Sequence, residues 1–384
     1  MKIGIITLPF NWNYGGILQC FAMQQSLVDL GHEPIVINRV DKMNPSIKSK
    51  IVFLAKGFIR KYLQGKNVAL RSWPHEDELN YIKQHTDRFI REKLNTTRLL
   101  HDEQEFRKLE DCKLDAYVVG SDQVWRPRYS PRIENHYLEF LGSTKNIKRI
   151  SYAASFGADE WEYSLEQTQI CSGLLKNFHA VSVREDIGVK LCEQHLGVRP
   201  ELVLDPTFLL NREVYEKLVE EDGIDKMPGT LFNYVLDLSD EKLAFIEKAG
   251  QKLGLIPFSS TAKGSFFELG KKRLQDCVFP PVTKWLRAFM DAEFVITDSF
   301  HGTVFSIIFN KPFIALGNTK RGLSRFTSML QLFDLEQRLV TEKELDKLDS
   351  VLEAEIDFDI VNEILVRERA KSIAFLEKAL KKSS

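Results

Sequence analysis

The sequence predicts an α/β chain of two domains, each built on a doubly wound parallel sheet. Three observations predict it. The 384 residues exceed one ordinary hydrophobic core and suit two domains of about 150 to 200 residues. The chain opens with strand, helix and strand in immediate succession, the unit from which such sheets are wound. Beyond it, short apolar runs recur, and each delivers a polar loop at its carboxyl end, where an open parallel sheet assembles a site.

Taken in order, Lys2 to Leu8 reads as the first strand, Gly16 to Leu30 as a helix ended by Gly31, and Glu33 to Asn38 as the second strand. The loop between the first two, Asn11-Trp12-Asn13-Tyr14-Gly15-Gly16, is rich in glycine but lacks GxGxxG spacing. It suits either a plain turn or a close backbone approach to a phosphate or sugar. Residues 41–111 interrupt the pattern with a basic, helical insertion. Within it, 42–75 carries Lys42, Lys48, Lys50, Lys56, Arg60, Lys61, Lys66 and Arg71 and no acidic side chain. Ile51, Leu54, Ala55, Phe58, Ile59 and Tyr62 recur there at helical steps, the make-up of an interfacial membrane anchor or of a core-packed helix with solvated lysines.

Strands then follow at Asp115 to Val119, Ile147 to Ala154, Phe178 to Val183 and Glu201 to Leu204. They lead into Gly120-Ser121-Asp122-Gln123-Val124-Trp125, Ser155-Phe156-Gly157, Arg184-Glu185-Asp186 and Asp205-Pro206-Thr207. A shift to acidic, Gly- and Pro-punctuated sequence places the domain boundary near residue 210, giving domains 1–210 and 211–384. The second domain runs Leu231–Leu238, Glu241–Leu253, Leu255–Ser259, a helix at Thr283–Met290, Phe294–Thr297, Lys311–Leu316 and a terminal amphipathic helix over Ile360–Lys382.

Composition excludes several classes. A hydrophobic fraction of 43%, a charged fraction of 28% and a formal net charge of -1 describe a globular chain with no global bias toward nucleic acid. Five cysteines, odd in number and widely spaced, form neither a disulfide framework nor a zinc site. With no leader-like start and no run of 18 apolar residues, the expectation is a cytoplasmic protein.

The most informative stretch is Phe294 to Leu316. Its β-branched start is a buried strand, Asp298 or Ser299 can cap the helix that follows, and Gly302 permits close backbone approach. His301 therefore stands at a strand-to-helix turn, beside free N–H groups that suit an anion. From Ser299 through Leu332 there is no Asp or Glu, whereas Lys311, Lys320, Arg321 and Arg325 are present. The alternative is a core histidine with a solvated basic face.

Together these loops resemble the polysaccharide pyruvyl transferase family, whose two Rossmann-like halves face a central cleft as in the GT-B glycosyltransferases. The resemblance rests on Asn13-Tyr14-Gly15-Gly16, Gly120 to Trp125, Ser155-Phe156-Gly157, Ser182 to Asp186, Leu204 to Thr207 and Thr297 to Gly302, in that order. It implies transfer of pyruvate from phosphoenolpyruvate to two hydroxyls of a sugar, as a ketal, with no further cofactor and no metal. His301 and Arg184 take the catalytic roles by that resemblance, His301 as proton donor or acceptor and Arg184 as a clamp for carboxylate or phosphate. Members often carry Arg two residues before the His, where this chain has Ser299. The donor's charge then falls to Lys263, Lys320, Arg321 and Arg325, with Ser299, Gly302 and Thr303 at the helix start. Asn13, Gly15, Gly16, Ser121, Asp122, Trp125 and Gly157 face the acceptor, Trp125 by stacking on the sugar and Asp122 by accepting from its hydroxyls or else serving as an N-cap.

Glycans of the kind this family modifies are commonly built on lipid carriers at the cytoplasmic membrane face, which favours a lipid-linked acceptor and membrane contact through 42–75. Two rivals stand beside this expectation. A nucleotide-sugar glycosyltransferase of the same architecture needs a carboxylate for the ribose hydroxyls, which the acid-free run does not supply. A non-catalytic glycan-binding or membrane-surface protein would tolerate loss of His301 and Arg184.

Overall fold

The computed structural model describes residues 1–39, 74–101, 105–106, 109, 113–130, 132–317 and 322–381. The expected amphipathic helix within 42–75 lies outside the described residues, as do Lys320 and Arg321.

Strands β1 (Lys2–Ile6), β2 (Glu33–Val36), β3 (Ala116–Val119), β4 (Lys148–Ala154), β5 (Ala180–Val183) and β6 (Glu201–Leu202) form one sheet in the order β2-β1-β3-β4-β5-β6. Strands β7 (Leu231–Tyr234), β8 (Pro257–Phe258), β9 (Phe294–Thr297), β10 (Phe313–Gly317) and β11 (Leu339–Thr341) form a second, in the order β11-β10-β9-β7-β8. Every pairing is parallel. The central strands β3 and β9 are buried at every residue, so helices must cover both faces, and their sequences are accordingly apolar throughout. The sequence did not anticipate β11, three residues long at a sheet edge.

Helices of the first half are α1 (Tyr14–Asp29), α2 (Glu76–Lys93), α3 (Leu165–Leu175) and α4 (Asp186–Leu191). Then come α5 (Arg212–Glu221), α6 (Asp240–Leu253), α7 (Phe266–Leu269), α8 (Val282–Asp291), α9 (Phe300–Ile308), α10 (Ser324–Leu332), α11 (Leu348–Glu353) and α12 (Phe358–Leu380). Local chemistry sets several of their ends. Ser164 and Gln167 form a capping box on α3, Ser239 caps α6, and the Asp357 carboxylate accepts from Asp359 and Ile360 N–H groups at the start of α12. Helix α1 begins two residues earlier than its glycines suggest, because the Asn13 carbonyl already accepts from Ile17 N at 3.0 Å.

Strand order reverses between β1 and β3 in the first sheet and between β7 and β9 in the second. At such a switch point the flanking loops part in opposite directions and leave a crevice. One apolar cluster runs from the first sheet to the second through Tyr14, Phe208, Trp285, Phe289, Phe305 and Leu376, so a shared core holds the two crevices against each other. Helix α12 belongs to this arrangement. Although it follows the second sheet in sequence, it docks on the first. Its Ser372 hydroxyl accepts from Leu204 N at 3.0 Å, its Arg369 donates to the Phe208 carbonyl at 2.6 Å, and Phe375 packs near Tyr152.

Among the described residues no helix is long and apolar enough to cross a membrane. Cys20, Cys171, Cys192 and Cys277 are buried free thiols.

Candidate active site

The second switch point is built on Thr297, the last residue of β9. Its hydroxyl donates to the Tyr234 carbonyl at the end of β7 (2.7 Å) and accepts from Ser299 N (3.1 Å), tying the two strand ends together. A Cβ on Gly302 would overlap that hydroxyl, so only glycine lets α9 start this close to the sheet. Ser299 is the cap, its Oγ accepting from Gly302 N at 3.3 Å. Asp298 serves another loop: it accepts from Leu236 N (2.6 Å) and Asp237 N (3.0 Å) and pairs with buried Lys242 at 3.1 Å. The Thr303 hydroxyl donates within the helix, to the Ser299 carbonyl. His301, on the first turn of α9, then projects from the second sheet's switch point toward the first.

There it meets Gly15, on the first turn of α1. A Cβ on Gly15 would fall on the imidazole, nearest its Nδ1. The same helix start is anchored across the domains by Tyr14, whose hydroxyl donates to the Pro280 carbonyl at 2.8 Å, and by Trp12, stacked on Phe279 at 5.5 Å. Beside it, at the first switch point, lies a cleft of about 280 Å³ lined by Thr7, Asn11, Asn13, Gly16 and Asp122 among others. Asp122 reaches this cleft from a left-handed backbone conformation (φ 64), with its carboxylate near Gly16. It is not an N-cap.

Behind His301 the ends of β3, β4, β5 and β6 bring buried charges together. Arg184 donates to Asp205 at 2.7 Å and lies 3.4 Å from both Asp122 and Glu185, with its guanidinium over the Phe300 ring at 4.4 Å. The closest of these partners is Asp205. Burial works against the Arg184 charge, but Glu185, Asp205 and Asp122 outweigh it and hold the guanidinium cationic. The expected planar clamp for a donor is thus a guanidinium engaged by three protein carboxylates.

Burial pushes the Glu185 carboxyl up, against the pull of Arg184 and of the Ser155 hydroxyl bonded to it. Asp205 goes the other way. Burial would raise it, yet His301, Arg184 and the Thr207 N–H hold it well below the usual carboxylate range. Arg325, on α10, is drawn down to about 10 by burial and by Arg184, with Glu185 and Asp122 opposing. It therefore sits in the field of the Arg184 cluster and is the one of the proposed donor cations that the described structure brings there.

The acceptor-side expectations for Trp125 and Ser121 need correction. Trp125 is fully enclosed, donating to the His136 carbonyl at 3.2 Å and stacked on Tyr137 at 5.0 Å, so no ring face is left for a sugar. Lys263 is exposed and pairs with Asp276 at 3.1 Å. The Ser121 hydroxyl is fully buried and donates to the Ala153 carbonyl at 2.8 Å, which makes it scaffold for the site. Gly157 is buried at φ 65, its carbonyl accepting from Arg126 at 2.9 Å. Sequence reasoning gave no role to Asp205, Ser155 or Phe300, although the strand-end pattern had already marked Asp205-Pro206-Thr207 and Ser155-Phe156-Gly157.

The model of one family, described as polysaccharide pyruvyl transferase, matches residues 13–320, a span that takes in Gly15, Asp122, Arg184, Asp205 and His301. The chain belongs to the polysaccharide pyruvyl transferase family. Its fold is similar to that of UDP-GlcNAc 2-epimerase from Methanocaldococcus jannaschii (TM-score 0.51, 15% identity, 93% of each chain covered). It is also similar to UDP-GlcNAc 2-epimerase from Neisseria meningitidis, solved bound to UDP-GlcNAc (TM-score 0.50, 11% identity, 99% of each chain covered). At such identities the likeness concerns the fold, the GT-B arrangement of two parallel α/β sheets. No curated protein matches the chain.

Proposed function

We propose that this pyruvyl transferase family member moves pyruvate from phosphoenolpyruvate onto two hydroxyls of a sugar, forming a ketal during cell-surface polysaccharide synthesis. The observation that supports it most is the contact of His301 with Gly15, which puts a proton-transfer group where the two switch points meet.

The chemistry requires such a group. Phosphoenolpyruvate accepts a proton on its methylene carbon, C2 becomes electron-poor, and the first sugar hydroxyl adds to it. The C2–O bond to phosphate then breaks, and the second hydroxyl closes the ketal. Of the two hydroxyl protons, one replaces the proton delivered to carbon and the other leaves with phosphate. Imidazole is the side chain suited to give and regain that proton near neutrality. The first turn of α9 carries no acidic residue of its own, which suits the donor's negative charge, and Arg325 adds to the local positive field. The cleft with Asn13, Gly16 and Asp122 suits hydroxyls. The acceptor we propose is lipid-linked, approached through salt-sensitive membrane contact of 42–75, which vesicle co-sedimentation with anionic and neutral lipid would test.

The test is incubation with phosphoenolpyruvate and a panel of lipid-linked and aryl sugars. Mass spectrometry for the ketal and a phosphate assay should report equal amounts of the two products. Turnover of a nucleotide sugar with no ketal from any acceptor would overturn the proposal.

A further inference from the structure

We propose that Asp205 positions His301, holding the ring proton on Nε2 so that Nδ1 is the nitrogen that exchanges protons with substrate. The step assigned to Nδ1 rests on the pyruvyl-transfer reading above; the Asp205–His301 pair itself does not.

The argument starts from what an imidazole can do. When neutral it carries one N–H and one acceptor nitrogen, and a carboxylate can only accept. The ring nitrogen facing a carboxylate is therefore the one that keeps its proton. His301 Nε2 lies 3.6 Å from Asp205 Oδ2, just beyond hydrogen-bond length, and among the described residues no group hydrogen-bonds this buried nitrogen. Pairs of this kind are often long until substrate arrives.

Asp205 is itself immobile. Its Oδ1 accepts from Thr207 N (3.1 Å) and Thr207 Oγ1 (2.8 Å), and its Oδ2 accepts from Arg184 at 2.7 Å. It caps the short turn Pro206–Leu209 and is nearly fully buried. Held well below the usual carboxylate range, it stays an anion throughout the working pH range. An anion fixed on one side of the ring leaves the other side to the chemistry. That other side carries Nδ1, on the part of the ring that packs on Gly15 at the first turn of α1. As acid, the imidazolium would release the Nδ1 proton to the methylene carbon and keep its Nε2 proton toward Asp205; a sugar hydroxyl would then restore the proton to Nδ1. Arg184 has a place in this account as well, since its bond to Oδ2 fixes the carboxylate that fixes the ring.

The decisive experiment is nitrogen-detected NMR on the full chain labelled with ¹⁵N-histidine, the His301 signals being assigned by their loss in His301→Gln. A proton on Nε2, in either the neutral or the cationic ring, is the expected result. A neutral ring with its proton on Nδ1 would overturn the proposal. In Asp205→Asn, whose amide presents N–H to the ring, the neutral ring should shift its proton to Nδ1. This variant should also lose about 10²- to 10⁴-fold in kcat with little change in KM for phosphoenolpyruvate. The double variant Asp205→Asn/His301→Gln should be no slower than His301→Gln alone, whereas losses that multiply would contradict action through His301. Should Asp205→Asn fail to fold, the measurement on the native chain still decides. A chain that keeps Nε2–H but makes no ketal would retain the pair and lose the reaction.

Discussion

The two switch points share one topology and differ in chemistry. Both lie where a parallel sheet reverses its strand order, one between β1 and β3 and the other between β7 and β9. The first presents amide, hydroxyl and carboxylate groups around a small cleft, from Asn13, Thr7 and Asp122. The second presents a helix start, a serine cap and an imidazole, in a run with no acidic residue from Ser299 to Leu332. The scaffold supplies two equivalent crevices, and the loops make one suited to hydroxyls and the other to an anion. Where they meet, the His301 ring packs tightly on Gly15, with a layer of buried charge behind it.

The buried layer is the place to break this arrangement most severely. Arg184→Met removes the cation facing Asp205, Asp122 and Glu185 and leaves carboxylates unpaired inside the protein. Urea unfolding should show a loss of about 3–5 kcal/mol. A variant as stable as the native chain would mean that the three carboxylates do not depend on Arg184.

The contact between the crevices is broken more selectively by Gly15→Ala. The added methyl would displace the His301 ring, and a misplacement of about 1 Å costs on the order of 10²-fold in rate. Its neighbour is the control. A Cβ on Gly16 meets the Asn13 amide at 3.1 Å and the Asp122 carboxylate at 3.6 Å but not His301, so Gly16→Ala should raise KM for the acceptor and retain most of the native kcat. Equal losses in the two variants would remove the special place given to the His301 contact.

Acid sharpens the comparison between the charge layer and the rest. The Asp205 carboxyl lies lower in the folded than in the unfolded chain, so its stabilisation is fully present above the unfolded value of about 3.9. It is lost as pH falls below that value toward the depressed folded one. Native stability should accordingly drop more steeply than that of Asp205→Asn between about pH 5 and pH 2, by on the order of 1–3 kcal/mol. Parallel curves would contradict the assignment.

A smaller effect separates the first crevice from the core beneath it. Trp125→Phe leaves the His136 carbonyl without its donor and should cost about 1–3 kcal/mol of stability, while KM for the acceptor stays unchanged. A large rise in that KM would return Trp125 to the acceptor site.

The sequence carried the sheet strands well because a strand covered on both faces must be apolar throughout, as Phe294-Val295-Ile296-Thr297 is. His301 was legible for a related reason: a polar residue between an apolar strand and an apolar helix has to sit at their junction. Contacts between distant segments were not legible. Nothing local in Gly15 says that its missing side chain makes room for His301, and nothing in α12 says that it folds back onto Leu204 and Phe208. Trp125 was misjudged for the same reason, since the aromatic rings that enclose it, Tyr137 and Phe156, come from separate segments. Asp205 was seen as a strand-end residue, but its partners Arg184, Thr207 and His301 come together only in the tertiary fold.

The most direct test of the claim that the second crevice takes the anionic donor is calorimetric titration of the native chain and of Ser299→Asp with phosphoenolpyruvate, and with a UDP-sugar as the contrasting ligand. The new carboxylate would stand at the start of α9, where the donor's charge is to be held. Phosphoenolpyruvate should bind the native chain, lose most of that affinity in Ser299→Asp, and have no counterpart in the UDP-sugar. Binding of the UDP-sugar without phosphoenolpyruvate binding, or phosphoenolpyruvate affinity unchanged in Ser299→Asp, would contradict the account.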